Sequence, residues 1–218
     1  MVEQSILENS NIQNDVRNYK RERILEAAQQ LFYEKGYSNT TMEELASTLG
    51  VTKPFVYRYF KNKEALLIAI YESLANRISG ILFDALKMPV TPDVQLATFI
   101  REFALENMKS VSVGIVYIQE ETNLDPEFRA SINEQHKKFD KALAGLIRSG
   151  VEQGYFRTDD PYIAGLGLIG MVRWVQRWYR PHGQASKEAI ANIFVEMALA
   201  SIHFRPPEEK VKENIQGT

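Results

Sequence analysis

Cysteine is absent from this 218-residue sequence, which excludes disulfides and metal sites built from thiolates. Long apolar runs are absent as well. The longest, Tyr162 to Val172, ends at Arg173 after eleven residues, whereas a membrane-spanning helix needs about 20, so we interpret it as a buried core helix. The first 14 residues lack the basic start and apolar centre of a secretory signal. We therefore expect a cytoplasmic protein.

Signatures of an enzyme are also scarce. Glu120 and Glu121 are adjacent and would point about 100° apart on a helix, so they form a poor pair of catalytic carboxylates. The three histidines, His136, His182 and His203, lack the spacing of metal ligands. No glycine-rich phosphate loop or nucleophile motif occurs. We predict no catalytic residues, no metal and no cofactor, and a helical enzyme is the less favoured alternative.

The net charge of −2 is distributed unevenly along the chain. Residues 16–63 hold nine Lys and Arg against five Glu, a net of +4, so the other 170 positions together carry −6. A basic N-terminal segment followed by an acidic remainder is typical of a protein that binds the phosphates of a nucleic acid through one end. The alternative is chance clustering of cations on a solvated helix.

Apolar spacing predicts helices along most of the chain. Residues 1–14 lack a sustained apolar period and are predicted to form a flexible arm. The first amphipathic helix begins near Val16 and ends at Gly36. Its apolar stripe consists of Ile24, Ala27, Ala28, Leu31 and Phe32. Beyond Arg77 the pattern remains helical. Residues 113–121 could be a strand by composition, but we predict helix there because helices flank the segment.

Residues 41–60 predict two short helices joined by a tight turn. Thr41 is expected to cap the first of them in a capping box with Glu44. Gly50-Val51-Thr52 is the expected turn, with Thr52 capping the next helix and Pro54 in its first turn. The second helix is predicted to bury Val56, Tyr59 and Phe60 and to expose Lys53, Phe55, Tyr57 and Arg58.

Residues 38–67 resemble the DNA-binding signature of the tetracycline-repressor (TetR) family, in which several positions agree at fixed offsets. The matching residues are Thr41, Leu45-Ala46, Gly50-Val51-Thr52, Tyr57, Tyr59-Phe60, Lys63 and Leu66-Leu67. Two positions depart from the usual pattern: Pro54 replaces a frequent glycine, and Phe55 stands where a small or polar residue is common. The close match covers about 30 residues.

The resemblance implies an all-α fold with an N-terminal three-helix helix-turn-helix domain and a larger helical ligand-binding and dimerisation domain. The expected divisions are an arm at 1–14, the DNA-binding domain at 15–62, the second domain at 63–205 and a tail at 206–218. It further implies a homodimeric repressor that leaves a palindromic operator when a small ligand tilts the helix from Lys63 to about Ser79. The predicted DNA contacts are Thr41, Thr52, Lys53, Pro54, Phe55, Tyr57, Arg58, Lys61 and Lys63, with Tyr57 and Lys63 at the family's phosphate-contacting positions.

Residues 173–180 combine three arginines with three aromatic side chains, which are costly to bury without partners. The run from Trp178 to Gly183 resembles a segment of TetR regulators that respond to acyl-CoA thioesters, which implies an acyl-CoA effector. The implied ligand-binding residues are Phe103, Tyr117, Met171, Arg173, Trp174, Arg177 and Trp178. An apolar tunnel lined by Phe103, Met108, Ile115, Tyr117, Ile118 and Met171 would take the acyl chain, while Arg173 and Arg177 engage its carbonyl or phosphate groups. The alternative is that these side chains form salt bridges between helices and dimer contacts.

The last helix carries the predicted dimer interface. By resemblance to the family it packs against its partner in a four-helix bundle through Ile190, Ile193, Phe194, Met197 and Ala198; the alternative is that these residues form intramolecular core. Gly165, Gly167 and Gly170 predict either close helix approach or room for a ligand, since glycine costs a helix about 1 kcal/mol relative to alanine. A constitutive DNA-binding dimer without a small ligand is the alternative function.

Overall fold

The computed structural model describes residues 2–111, 113 and 124–203, with side chains from residue 12 onward. The helices are α1 (Val2–Lys35), α2 (Met42–Thr48), α3 (Lys53–Tyr57), α4 (Lys63–Lys87), α5 (Pro92–Lys109), α6 (Pro126–Glu152), α7 (Pro161–Arg173), α8 (Val175–Trp178) and α9 (Lys187–Ser201). The described ranges contain no strand, so the predicted all-α fold is confirmed. Most of the segment 113–121 and the whole of the tail 206–218 lie outside these ranges.

The segment predicted to be an arm is helical in the structure. Residues 2–14 are the first turns of α1, which runs to Lys35 and is followed by Gly36 at φ +85°. Neither glycine nor proline occurs before Gly36, and such residues are the strongest helix breakers. The first buried side chain on α1 is Ile24. Apolar periodicity therefore predicted the part of the helix that packs in the core, and not the residue at which the helix begins.

The chain folds as two compact units. One contains residues 1–76 and 110–130, and the other contains 77–109 and 131–218. The division at 76/77 falls inside α4, whereas the expected boundary was at 62/63. The core of the first unit contains Ile24, Ala28, Leu31, Phe32, Leu45, Val56, Phe60 and Leu66. Apolar residues from all four of the first helices therefore fix the position of α3.

Three phenylalanines form the centre of the second unit. Phe99 and Phe103 on α5 are fully buried and stack at 5.4 Å between ring centroids, and Phe139 on α6 meets Phe99 edge-on at 5.9 Å. Gly165 on α7 lies against Leu143 of α6, at 3.5 Å from the position a Cβ would take. This is an ordinary van der Waals distance, and nothing lies within 4 Å of a Cβ at Gly167 or Gly170, so close helix approach at these glycines stays a prediction.

Helix α4 is long and apolar enough, by length and composition, to cross a membrane. Several of its apolar side chains serve the protein core instead. Leu66, Leu67, Ile70, Leu74, Ile78 and Leu82 are all buried. Burial explains the composition, and we interpret α4 as a core helix.

Gly150 marks a place near the end of α6 where no side chain fits. Its carbonyl accepts hydrogen bonds from the backbone N–H groups of Tyr155 and Phe156, at 2.8 and 3.1 Å, and this turn lays the buried Phe156 ring over the glycine. A Gly150→Ala methyl would overlap the ring, so we expect a loss of about 1–3 kcal/mol in the free energy of unfolding. Urea denaturation measures this loss.

The matched control is Gly145→Ala on the same helix, where nothing lies within 4 Å of the added methyl. It should stabilise the protein by up to about 1 kcal/mol through helix propensity. Equal effects of the two substitutions would contradict the overlap.

Candidate nucleic-acid interface

One half of the capping box predicted for the start of α2 is present in the structure. Thr41 is the N-cap, and its hydroxyl accepts a hydrogen bond from the Glu44 N–H at 3.1 Å. The Glu44 carboxylate binds Lys35 of α1, so it ties α2 to α1 in place of the reciprocal half of a capping box. The turn after α2 has Gly50 at φ +66°, a conformation that glycine adopts without steric cost. Thr52 precedes α3 in the N-cap position without a side-chain capping bond.

Helix α3 is oriented by one fully buried residue, Val56. Of the four residues predicted to be exposed, Lys53, Tyr57 and Arg58 are, whereas Phe55 is half-buried because its ring packs against Tyr59. Pro54 is exposed as well. Tyr57 has 42% of its surface exposed, although a large aromatic residue is ordinarily more buried.

Tyr59 and Phe60 follow α3, and both were predicted to be core. Phe60 is buried, as expected, but Tyr59 is only half-buried. The reason lies in its neighbours: the Tyr59 ring packs at 5.4 Å against Phe55 and carries the Arg58 guanidinium at 5.4 Å. It therefore supports the outer face of α3 rather than filling the core.

Aromatic rings hold the long cations of α3. Arg58 lies over the Phe55 ring at 5.1 Å, and the Lys53 ammonium lies 5.7 Å from the Tyr57 centroid while pairing with Glu43. Such cation–π contacts restrict flexible side chains. The result is a short helix with a cation at each end and a tyrosine between them, an arrangement suited to phosphate contacts on either side of a major groove.

Lys63 has a structural role that the sequence did not reveal. Its ammonium donates hydrogen bonds to the carbonyl oxygens of Tyr37 at 2.6 Å, Ser38 at 3.2 Å and Thr40 at 3.0 Å, and it lies 4.4 Å from the Tyr37 ring centroid. A lysine ammonium has three N–H donors, and all are used here. Lys63 therefore joins the first turn of α4 to the loop before α2, and its phosphate contact stays a prediction.

Substitution of Lys63 by methionine is expected to lower the free energy of unfolding by about 1.5–3 kcal/mol, because hydrogen bonds to charged groups contribute in that range. The exposed Lys61→Met change, two residues away, removes the same charge and should cost less than about 0.5 kcal/mol. Urea denaturation of both variants provides the comparison. Equal stabilities would show that the three bonds contribute nothing.

Both halves of the chain match family models. Residues 24–70 match the bacterial regulatory proteins of the tetR family, and residues 89–202 match the tetracyclin repressor-like C-terminal domain. The chain belongs to the TetR family. It is therefore a helix-turn-helix transcriptional regulator, in which α2 and α3 form the DNA-binding motif.

Individual TetR-family relatives match nearly over their whole lengths. The transcriptional repressor KstR2 of Mycobacterium tuberculosis is 26% identical over 188 residues, covering 85% of this chain and 94% of the relative. The crystal structure of PfmR from Thermus thermophilus has 31% identity and a TM-score of 0.75, covering 82% and 97% of the two chains. AibR, solved with isovaleryl coenzyme A and operator DNA, has 30% identity and a TM-score of 0.71, covering 81% and 96%.

The predicted ligand-binding residues that the structure describes in this TetR-family chain do not gather in one place. Phe103 lies in the aromatic core with Phe99, and Met108 is buried on the same helix. Met171, Trp174 and Trp178 instead line an open apolar groove of about 540 Å³. The other lining residues are Gly170, Ile190, Ile193, Phe194 and Met197. Tyr117, Ile115 and Ile118 lie outside the described residues.

The predicted dimer residues of α9 fall on two faces. Ala198 is fully buried and Ile190 and Phe194 nearly so, which matches the alternative that they form intramolecular core; Ile193 and Met197, by contrast, are 53% and 47% exposed. Trp174 and Trp178 of the neighbouring groove are 65% and 47% exposed. An apolar surface of this kind typically marks an interaction site.

Two polar arrangements in the second unit were not found from the sequence. The buried Asn107 amide donates to the Phe103 carbonyl at 2.7 Å and accepts from Gln176 at 2.9 Å, which connects α5 to α8. Arg173, exposed at the end of α7, is one of two cations acting on Asp140 of α6. Arg177 is also exposed. The Asn107–Gln176 and Arg173–Asp140 interactions join residues far apart in the sequence, so residue spacing could not predict them.

Burial raises the pKa of Asp140 above its usual value, although the positive charges of His136 and Arg173 act to lower it. A carboxyl with a raised pKa in the native state binds more protons folded than unfolded, so stability decreases as the pH rises through that pKa. Asp140→Asn should therefore stabilise the protein at neutral pH and lose this advantage below pH 3.8, the ordinary value.

The test is urea denaturation of the wild type and Asp140→Asn across the acidic range. The exposed Asp159→Asn change is the matched control. A stability difference for Asp140→Asn that does not change with pH would contradict the prediction.

Proposed function

We propose that this TetR-family regulator is a homodimeric repressor that binds a palindromic operator through α3 and is released by a small apolar and anionic effector, a fatty acyl-CoA. The observation that carries the proposal is the outer face of α3, where Lys53, Tyr57 and Arg58 are exposed while Val56 anchors the helix. The proposed DNA contacts are Thr41, Thr52, Lys53, Pro54, Phe55, Tyr57, Arg58, Lys61 and Lys63. A cytoplasmic location is expected because the partner is genomic DNA.

The apolar groove between α7, α8 and α9 supports the proposed dimer. Ile193 and Met197 are four residues apart on one face of α9, and Trp174 and Trp178 are four residues apart beside them. A two-fold axis through this surface would place the same residues of both copies against each other. We therefore assign Trp174 and Trp178 to the subunit contact rather than to the effector.

The acyl-CoA proposal is supported by AibR, whose structure holds both isovaleryl coenzyme A and operator DNA. In this chain Arg173 and Arg177 supply exposed guanidinium groups of the kind that bind phosphate or carboxylate. The fully buried stack of Phe99 and Phe103 favours a second candidate, a constitutive DNA-binding dimer, because a filled core leaves less room for an acyl chain.

The decisive experiment selects binding sequences from a random DNA library and then titrates the selected duplex with effectors in fluorescence anisotropy. A palindrome with half-sites about one helical turn apart, or a multiple of it, is expected. Acyl-CoA thioesters of several chain lengths should release the protein, whereas free CoA should not.

Each outcome of this experiment separates one candidate from the rest. Release by free fatty acids as readily as by thioesters would overturn the CoA assignment. Failure of every effector to release the DNA would favour the constitutive dimer. Selection of no sequence at all would overturn the repressor.

A further inference from the structure

Helix α1 carries a basic stripe where it extends beyond the family match, which begins at residue 24. Within the first unit the inward face of α1 holds Ile24, Ala28 and Leu31, all buried. Towards the amino terminus the same face continues at helical spacing through Lys20, Arg17, Val16 and Gln13. The face that is apolar inside the core therefore becomes mainly polar and basic outside it.

This stripe meets the carboxyl end of α3. Gln13, Val16, Arg17 and Lys20 line an open cavity of about 470 Å³ together with Arg58 and Tyr59. The lining thus contains three cations and no carboxylate. Its nearest cationic neighbours on α1 are engaged differently: Arg21 lies over the Phe60 ring at 5.2 Å, and Arg23 pairs with Glu26 at 2.5 Å.

Three like charges around one cavity repel each other, and an anion placed among them relieves that repulsion. Arg58 is already directed there by Phe55 and Tyr59, whose rings lie 5.1 and 5.4 Å from its guanidinium. The cavity adjoins the helix proposed to enter the major groove, where phosphates follow one another along each strand.

We infer that Arg17, Lys20 and Arg58 form a second phosphate-binding site, which holds the DNA backbone beside the half-site contacted by α3. The inference rests on the proposed DNA-binding function. It adds to that function a contact in which Arg17 and Lys20, which precede the residues matched by the family model, act together with Arg58. Such a contact positions the protein without reading sequence.

The test compares Arg17→Ala/Lys20→Ala with Lys137→Ala/Lys138→Ala, a pair of exposed cations on α6, in anisotropy titrations over a range of salt concentrations. Each lost phosphate contact should reduce the slope of log K against log salt by about 0.9. The first variant removes two cations from each subunit of the proposed dimer, so it should lose about 3.6 in slope. Its affinity for selected and for unrelated duplexes should fall by the same factor. The control should retain the wild-type slope.

A wild-type slope for Arg17→Ala/Lys20→Ala would overturn the inference, as would a loss confined to the selected sequence. Inorganic phosphate that raises the melting temperature of the wild type but not of this variant, with the DNA slopes unchanged, would identify a free anion as the occupant instead. Absence of DNA binding by the wild type would overturn the proposed function itself. Arg17→Lys/Lys20→Arg, which keeps the charge, should retain the wild-type slope.

Discussion

Replacing Ile193 and Met197 together by glutamate is expected to dissociate the dimer and to lower operator affinity by about 100-fold or more, since each 1.4 kcal/mol is a factor of ten. Both side chains are about half exposed on the face of α9 that lines the groove. Burying an isoleucine or methionine contributes about 1.5–3 kcal/mol, and the substitution would also place four carboxylates in one apolar contact. Unpaired buried charges are strongly unfavourable.

Sedimentation velocity reports the mass of the variant, and anisotropy reports its operator affinity. The monomer should stay folded, because neither residue belongs to the core of its own chain. Val94→Glu on α5, at a site that is 41% exposed and outside the groove, is the matched control and should remain dimeric. A glutamate double variant that sediments as a dimer would show that the subunits meet elsewhere.

The second large effect is expected at Phe103. Its ring is fully buried, stacks on Phe99 and lies 6.5 Å from Phe139 between centroids. Truncation to alanine in such a core costs about 3–5 kcal/mol, which includes the lost transfer free energy and the cavity left behind. We expect that loss for Phe103→Ala in urea denaturation without any effector.

Phe83→Ala on α4 is the matched control, because that ring is 41% exposed, and its truncation should cost less than about 1 kcal/mol. The comparison also bears on the effector. A small loss at Phe103 would mean that its ring borders empty space and is available to an acyl chain, as the sequence predicted. A large loss would assign it to the core.

The helix-turn-helix was predictable because its determinants are local. Thr41 caps α2 through a residue three positions away, Gly50 supplies a positive φ, and Pro54 stands in the first turn of α3. Each follows from the chemistry of one residue and its immediate neighbours. The outward face of α3 followed from the same spacing.

The less predictable features depend on residues far apart in sequence. Lys63 binds carbonyl oxygens 23 to 26 positions earlier, and no local pattern indicates that pairing. The segment from Pro161 to Trp178 is divided at Trp174 into α7 and α8. Trp174 and Trp178 line the groove beside α9. The sequence instead assigns them, with the neighbouring Arg173 and Arg177, to the ligand-binding site. Apolar periodicity predicted which segments are helical, but it did not predict which helix each apolar face packs against.

The three hydrogen bonds of Lys63 have a mechanical consequence for the DNA-binding motif. They attach the first residue of α4 to the loop that ends at Thr40, immediately before the Thr41 cap of α2. Sliding α4 along its axis would pull on this loop directly. A displacement of the first turn of α4 would therefore be transmitted to α2 through this loop, without any direct contact between α4 and α3 being required.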